Sequence, residues 1–488
     1  MKKITLISII LFGGCGMFSP QRAPLSPLGQ LRHDIDAVLS DSVFTATSAG
    51  IKVVSVASGE VLYEKGSKLL VHPASNMKLL TSLTAIKVLG KDYGIKTSVF
   101  LDTLIINGVV YGNIYLKGYG DPDLRTADLD TLASQLRSLG IRRVAGDVIA
   151  DNYFFDDLYW GNGWMWDDEP DPDEMFISSL SVNKNCILVN VMPTLVEGDS
   201  VIVSSDPPTS YVSLLSEART VKDSAINPVQ VTRMFKERLN AITIRGEIQK
   251  GSLPLARRVS LWRPELYAAQ LFKEALLRAG ILVFGQPKTA PTPFSTREAV
   301  SHAWPLDSVV IAMDKVSDNL SAENLLKIIG ARKRGVPGSA QNGLFVVNES
   351  LAAMGIDTTS ILIADGSGVS HYNLLSPEML VQLLTAAAKS PDVFPLFYES
   401  LPIAGIDGTL ARRMTTPPAA GNLRAKTGSI SGVSTLSGYV KTNDGELLAF
   451  SFMMQNFIQP TSTFRAAQDK IGQLLAGFNR QRPLSNAR

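Results

Sequence analysis

The chain has 488 residues, 45% hydrophobic and 19% charged, which is ample apolar material for packed cores and excludes a disordered chain. Lys+Arg of 47 against Asp+Glu of 45 leaves a net charge of +2, no electrostatic footing for nucleic acid. With only Cys15 and Cys186, and four scattered histidines, a disulfide framework is excluded, and no metal centre or cofactor is expected.

Read from the N-terminus, Met1-Lys2-Lys3 is a basic start, followed by a short apolar run from Ile4 to Phe12 and then Gly13-Gly14-Cys15. A bilayer-crossing helix needs about 20 apolar residues, so this run fits the core of a secretory signal over residues 1–15. A Cys directly after two small residues also resembles the lipobox of bacterial lipoproteins, which makes Cys15 the candidate lipidation site. The expectation is an exported, periplasmic protein of the cell envelope, touching the membrane only through that anchor. Plain cleavage to a soluble form is the alternative. Residues 16–27, with three prolines, read as a tether.

Leu28, Leu31, Ile35, Val38 and Leu39 recur at helical spacing. Ile51 to Val56, a Ser58-Gly59 turn and Glu60 to Tyr63 predict a hairpin. Ala74 to Leu89 is a strong helix pattern ended by Gly90. From about residue 97 to about 260 the texture is short strands and turns, with Gly112 to Lys117 and Asp147 to Ala150 as examples. Cys186 sits in an alternating stretch and reads as a buried strand residue. Pro264 to Gly280 returns to helix, and helices dominate 307–390 apart from an expected strand at Ile361 to Ala364. After Lys426-Thr427-Gly428 a second hairpin is expected, with arms Ser434 to Val440 and Glu446 to Gln455 around Asn443-Asp444-Gly445. A last helix carries the stripe Phe464, Ala467, Ile471, Leu474, Phe478.

This organisation predicts a multi-domain α/β protein. Its main domain would be built from 28–97 and 294–488. A strand-rich insert of roughly 200 residues would separate the pieces. The insert divides into one domain from 98–170 and 255–293 and a nested one from 171–254.

No G-x-S-x-G nucleophile elbow is present and histidine is scarce, so a serine activated by lysine is the chemistry to seek. S-x-x-K occurs at Ser75-Asn76-Met77-Lys78 and at Ser181-Val182-Asn183-Lys184. Ser75 opens a helix, where residues three apart share a face and Lys78 Nζ can reach Ser75 Oγ. The helix start also supplies free N–H groups for an oxyanion. Ser181 reads as opening a strand, where residues three apart face opposite sides. Two more elements follow in order: Ser317-Asp318-Asn319 before a helix, and Lys426-Thr427-Gly428. Alone, each has an ordinary explanation, an N-cap and a glycine turn respectively. The ordered set does not.

On these residues the chain resembles the D-alanyl-D-alanine carboxypeptidases/endopeptidases of the low-molecular-mass class C penicillin-binding type. The stretch between Ser75 and Ser317 is far too long for a β-lactamase and suits this family, which carries a large insert there. Gly118-Tyr119-Gly120-Asp121-Pro122, Asp365-Gly366-Ser367-Gly368-Val369-Ser370 and Leu401 to Leu410 extend the resemblance, which runs from about 28 to about 478. His371 and Tyr119 depart from its usual residues.

The resemblance implies a penicillin-binding, serine β-lactamase-like α/β fold. It also implies that Ser75 is the acylated nucleophile, Lys78 its base, Ser317 a proton relay and Asn319 a positioner. Lys426 and Thr427 would hold the substrate carboxylate, and Gly428 would let the substrate backbone approach. The N–H groups of Ser75 and Ser429 would form the oxyanion hole. Of the acids after Gly163-Trp164-Met165-Trp166, Asp168 is the expected partner of a free amine on the peptide stem. The ordinary reading of that loop is a solvated acidic turn. The implied partners are peptidoglycan peptides and β-lactams. The competing readings are a β-lactamase or esterase on the same scaffold, and a non-catalytic exported receptor.

Overall fold

The structure, a computed structural model, describes residues 25–169, 171–223 and 227–481. Cys15, the signal segment and residues 16–24 of the tether lie outside the described residues.

The two ends of the chain meet in one antiparallel sheet. Its strand order is Val61–Lys65, Ser48–Ser55, Leu447–Gln455, Val433–Lys441, Arg424–Ile430. The central Leu447–Gln455 strand shows why both faces are covered. Leu448, Phe450, Phe452 and Met454 enter one apolar cluster, while Ala449 and Met453 enter another, as the two-residue side-chain period requires.

Helices α1 (Pro27–Leu39) and α10 (Thr461–Ala476) cover the first face. The second carries α2 (Lys78–Leu89). In the sequence between α2 and α10 come α3 (Thr126–Ser138), α4 (Pro264–Arg278), α5 (Leu306–Val316), α6 (Asn319–Arg334), α7 (Ala340–Ala353), α8 (Pro377–Ala388) and α9 (Phe394–Ser400). Of these, α5 to α9 pack with α2 in the second cluster. Helix α2 is polar at several positions yet buried along Lys78–Ile86, so it runs through the core rather than over it.

The insert has its own apolar cluster, from Val99 to Ile281, with α3 and α4 packed together. Helix α3 stands in the stretch expected to be strands and turns. Its apolar residues Leu129, Leu132, Ala133 and Leu136 follow the helical period. Two expected domain boundaries cut through paired strands. Gly94–Leu101 pairs with Arg297–Pro305 in a five-stranded sheet with the Ile114–Gly118 and Val148–Asp151 strands. Leu255–Ser260 pairs with Cys186–Met192. A shift in composition marks where texture changes, but hydrogen bonding decides which strands share a sheet.

No strand forms at Ile361–Ala364. Leu362 makes one isolated bridge to Leu374, and Asn373 Oδ1 accepts from Ala364 N at 2.7 Å, so side-chain bonding replaces a ladder there. Among the described residues no helix is long and apolar enough to cross a membrane.

Candidate active site

Ser75 lies in a single 3₁₀ turn, Ala74–Met77, that runs directly into α2 at Lys78. Ala74 takes a left-handed φ of 46°, a conformation costing of order 1–3 kcal/mol outside glycine. That kink aims the start of the turn at the cleft. Lys78 is fully buried. Its Nζ lies 2.6 Å from Asn319 Oδ1, 2.8 Å from Ser367 O and 3.2 Å from Ser75 Oγ. A neutral amine has two N–H donors and one lone pair. The two carbonyl oxygens take the donors, leaving the lone pair for the Ser75 hydroxyl proton. Burial pulls the Lys78 pKa down to about 8, against the opposing pull of Asp365, Asp318, Glu323 and Asp314.

The second motif is a hinge between two helices. Ser317 ends α5 in a left-handed conformation, φ 67°, and Asp318 caps α6 by accepting from Ser321 N at 2.8 Å. The ordinary N-cap reading and the functional reading thus both hold. The cap is Asp318, and its neighbours Ser317 and Asn319 turn into the cleft. Asn319 also donates to Asp173 O at 2.8 Å, which links it to the insert.

The third motif precedes the expected hairpin, Val433–Lys441 with Leu447–Gln455, and itself lies in a further strand, Arg424–Ile430, at the edge of the sheet. An edge strand leaves backbone groups free to pair with an extended peptide. Lys426 is fully buried and donates to Ser317 Oγ at 2.9 Å and to Thr427 O at 2.9 Å. Burial, and then the nearby Lys78, push its pKa below the ordinary lysine range, while Asp314 opposes the shift. Thr427 Oγ1 donates to Thr409 Oγ1 at 2.8 Å. A Cβ on Gly428 would stand 2.8 Å from Pro73 O and 2.9 Å from Ser75 N. The missing side chain therefore brings this strand against the nucleophile's own turn.

These groups line one cleft of about 420 Å³, with Ser75, Ser317, Asn319, Thr427, Gly428 and Ser429 on its walls. Arg413, Arg465, Asp173 and Glu174 complete the rim. Arg465 Nη2 donates to Ser429 Oγ at 3.0 Å. Burial, reinforced by Asp171, Asp168 and Asp173, raises the Glu174 carboxyl to about 8. A larger hollow of about 1000 Å³ lies at the other end of α2, around Ile86, Gly90 and Glu399, and contains none of the motif residues.

The structure does not bring Asp168 onto the cleft wall. Its Oδ2 accepts from Met165 N at 3.0 Å within its own turn, and the acids that reach the cleft are Asp173 and Glu174. Trp164 of the same loop is buried and donates to Asp365 Oδ2 at 3.0 Å. Asp365 also accepts from Gly368 N at 2.8 Å and Ser370 N at 2.7 Å, which shapes the loop whose Ser367 carbonyl receives Lys78.

Sequence reasoning missed several supporting residues. Asn76, inside the first tetrad, donates to Thr435 Oγ1 at 2.8 Å and to Lys426 O at 3.1 Å, bonding the helix start to the edge strand and to its neighbour Val433–Lys441. Buried Asp314, one helical turn before Ser317, accepts from Ser400 Oγ at 2.7 Å. A polar residue on the apolar face of α5 was its visible signal. Ser181 is not in a strand either, because Asn183, Lys184 and Asn185 have φ of 50°, 57° and 55° and the strand begins only at Cys186. Cys186 itself is buried there.

Known proteins are similar to this chain in sequence and in architecture. The sequence profile of the D-Ala-D-Ala carboxypeptidase 3 (S13) family matches residues 31–478. A D-alanyl-D-alanine carboxypeptidase of Actinomadura sp. (strain R39) is 34% identical over 492 residues, covering 97% of this chain and 89% of that protein. D-alanyl-D-alanine carboxypeptidase DacB of Haemophilus influenzae is 27% identical over 415 residues, covering 84% of this chain and 86% of that one. The crystal structure of penicillin binding protein 4 from Haemophilus influenzae superposes with a TM-score of 0.80 at 25% identity, covering 90% of this chain and 97% of that chain.

Proposed function

The chain belongs to the D-Ala-D-Ala carboxypeptidase 3 (S13) family, and from that premise we propose that it is a serine-type D-alanyl-D-alanine carboxypeptidase acting on peptidoglycan stem peptides. Ser75 Oγ attacks the carbonyl of the penultimate D-alanine as its proton passes to Lys78 Nζ. The oxyanion forms against the N–H groups of Ser75 and Ser429, where one donor is worth about 3–4 kcal/mol of transition-state stabilisation. The intermediate collapses, the C–N bond breaks, and the departing D-alanine amine takes a proton by way of Ser317 Oγ. Water then hydrolyses the acyl-enzyme. Lys426 and Thr427 receive the terminal carboxylate, and Asn319 holds Lys78 and the substrate amide.

One observation supports this assignment above the others. Two buried lysines each contact a different serine, Lys78 on Ser75 at 3.2 Å and Lys426 on Ser317 at 2.9 Å, and Asn319 reaches Lys78 at 2.6 Å. Binding alone needs no buried amine with a lowered pKa beside a hydroxyl, which counts against a receptor role.

A β-lactam presents a strained amide and a carboxylate to the same groups, so penicillin should acylate Ser75. An envelope location fits the substrate, with Cys15 as the proposed lipid attachment point. For a stem amine, Asp173 and Glu174 are better placed than Asp168. The test is incubation with purified muropeptides followed by mass analysis. Loss of one alanine supports the carboxypeptidase reading, and cleavage of a cross-linked dimer adds endopeptidase action. Rapid turnover of penicillin would favour a β-lactamase. No alanine release from a folded, penicillin-unreactive protein would overturn the enzymatic reading.

A further inference from the structure

The second S-x-x-K tetrad has no serine chemistry, yet its lysine reaches the active-site hinge. Lys184 Nζ lies 2.8 Å from Asp318 Oδ2, 2.7 Å from Asp123 Oδ1 and 3.0 Å from Ser321 Oγ. Asp318 stands between Ser317 and Asn319, the two residues that contact the buried lysines.

The backbone that delivers Lys184 is unusual. Three consecutive non-glycine residues, Asn183, Lys184 and Asn185, are left-handed. Such conformations persist only where the surroundings over-determine them. Here they do. Asn183 Oδ1 accepts from Thr126 N at 3.1 Å and its Nδ2 donates to Thr126 Oγ1 at 2.8 Å. Asn185 Nδ2 donates to Phe176 O at 2.7 Å and to Ser181 Oγ at 3.0 Å, and its Oδ1 accepts from Val182 N at 3.2 Å. A strained turn, held on both sides by asparagine amides, projects one ammonium group onto the hinge.

We propose that Lys184 is a positioning residue for the acyl transfer, holding the Ser317-Asp318-Asn319 hinge from the insert so that Ser317 and Asn319 stay on the two catalytic-site lysines. This rests on the functional reading above. The side chain of Asp318 is 11% exposed, so without Lys184 its carboxylate is a nearly buried charge with no cation beside it. It would swing towards water or take up a proton, and either response loosens the hinge. The pair is mutually ionised. Burial works against both charges, but Asp318 and Asp123 hold the lysine pKa above its ordinary value, and Lys184 holds that of Asp318 below its own. Displacement of a reacting group by about 1 Å can cost about 100-fold in rate, so a modest loosening of Ser317 and Asn319 is enough to be measured.

The experiment is time-resolved acylation of the full chain by fluorescent penicillin. Label amplitude reports the folded fraction, and the rate constant at saturating penicillin reports the chemistry. Lys184→Met should lower that rate constant at least about tenfold, with the half-saturating concentration little changed, and Lys184→Arg should recover most of it. A rate constant within about twofold of wild type in Lys184→Met, whatever happens to the amplitude, overturns the proposal. If Lys184→Met does not fold, Asp318→Asn decides. It keeps an N-cap side chain but removes the charge that Lys184 grips, so an equal loss supports the role and an unchanged rate constant refutes it. A wild-type protein that takes up no label removes the functional reading and this inference with it. Normal wild-type labelling with unaffected variants removes the inference alone.

Discussion

Ser75–Lys78 and Ser181–Lys184 carry the same four-residue spacing and do opposite things. The first tetrad is right-handed from Ser75 onwards and folds its lysine back to 3.2 Å from its own serine. The second turns left-handed and sends its lysine away to Asp318 and Asp123. Ser181 Oγ donates instead to Ser178 O at 2.8 Å. Lys78 is fully buried and the Lys184 side chain is 23% exposed, but the sharper difference lies in direct carboxylate contacts. Lys184 touches two carboxylates and stays a cation, whereas Lys78 touches only neutral oxygens and has another lysine nearby. A spacing motif therefore specifies a base only where the fold withholds an ion-pair partner.

The largest expected effect tests that contrast at its centre. Ser75→Ala should abolish penicillin labelling, and Lys78→Met should slow acylation by about 10²–10⁴-fold, the usual range for removing a positioned base. Stopped-flow or gel-based labelling reads both. Retained labelling in Ser75→Ala would transfer the nucleophile to another residue.

Next comes the contact that joins strand to nucleophile. Gly428→Ala places a methyl 2.9 Å from Ser75 N and 2.8 Å from Pro73 O, both backbone atoms that cannot step aside. The expected cost is about 1–3 kcal/mol of stability, with acylation impaired as well. Denaturant melts and labelling on the same sample check it. Full stability with normal labelling would mean that the strand does not press on the turn.

The smallest effect belongs to the other tetrad. Ser181→Ala should leave the acylation rate unchanged and cost about 1–3 kcal/mol, because Asn185 and Ser178 lose a buried partner. A large fall in acylation rate, with the protein folded, would erase the distinction between the two sites.

Much of this was legible in the sequence. The three motifs in order, the helix after Ser75 and both hairpins of the main sheet follow from period and turn chemistry. What was not legible is long-range or held by side chains. Nothing local announces that Lys184 meets Asp318, since the two are joined only after the insert packs on α6. Left-handed turns such as Asn183 to Asn185 escape periodicity, because amide side chains bonded to distant backbone create them. The Ile361–Ala364 segment has the composition of a strand, but Asn373 takes the backbone bond that a neighbouring strand would need. Asp168 belongs to a run of acids in which only the backbone path decides which side chains reach the cleft, and Asp173 and Glu174 are the ones that line it.

The central claim is that Lys78, uncharged, accepts the Ser75 proton, and the pH dependence of acylation tests it most directly. With the Lys78 pKa lowered to about 8, the neutral amine grows about tenfold per pH unit below that value and saturates above it. The rate constant for penicillin acylation of the wild-type protein, measured from pH 6 to pH 9, should climb with that slope and level off just above pH 8. A rate constant that stays flat across the range, or falls as pH rises towards 8, would contradict the claim.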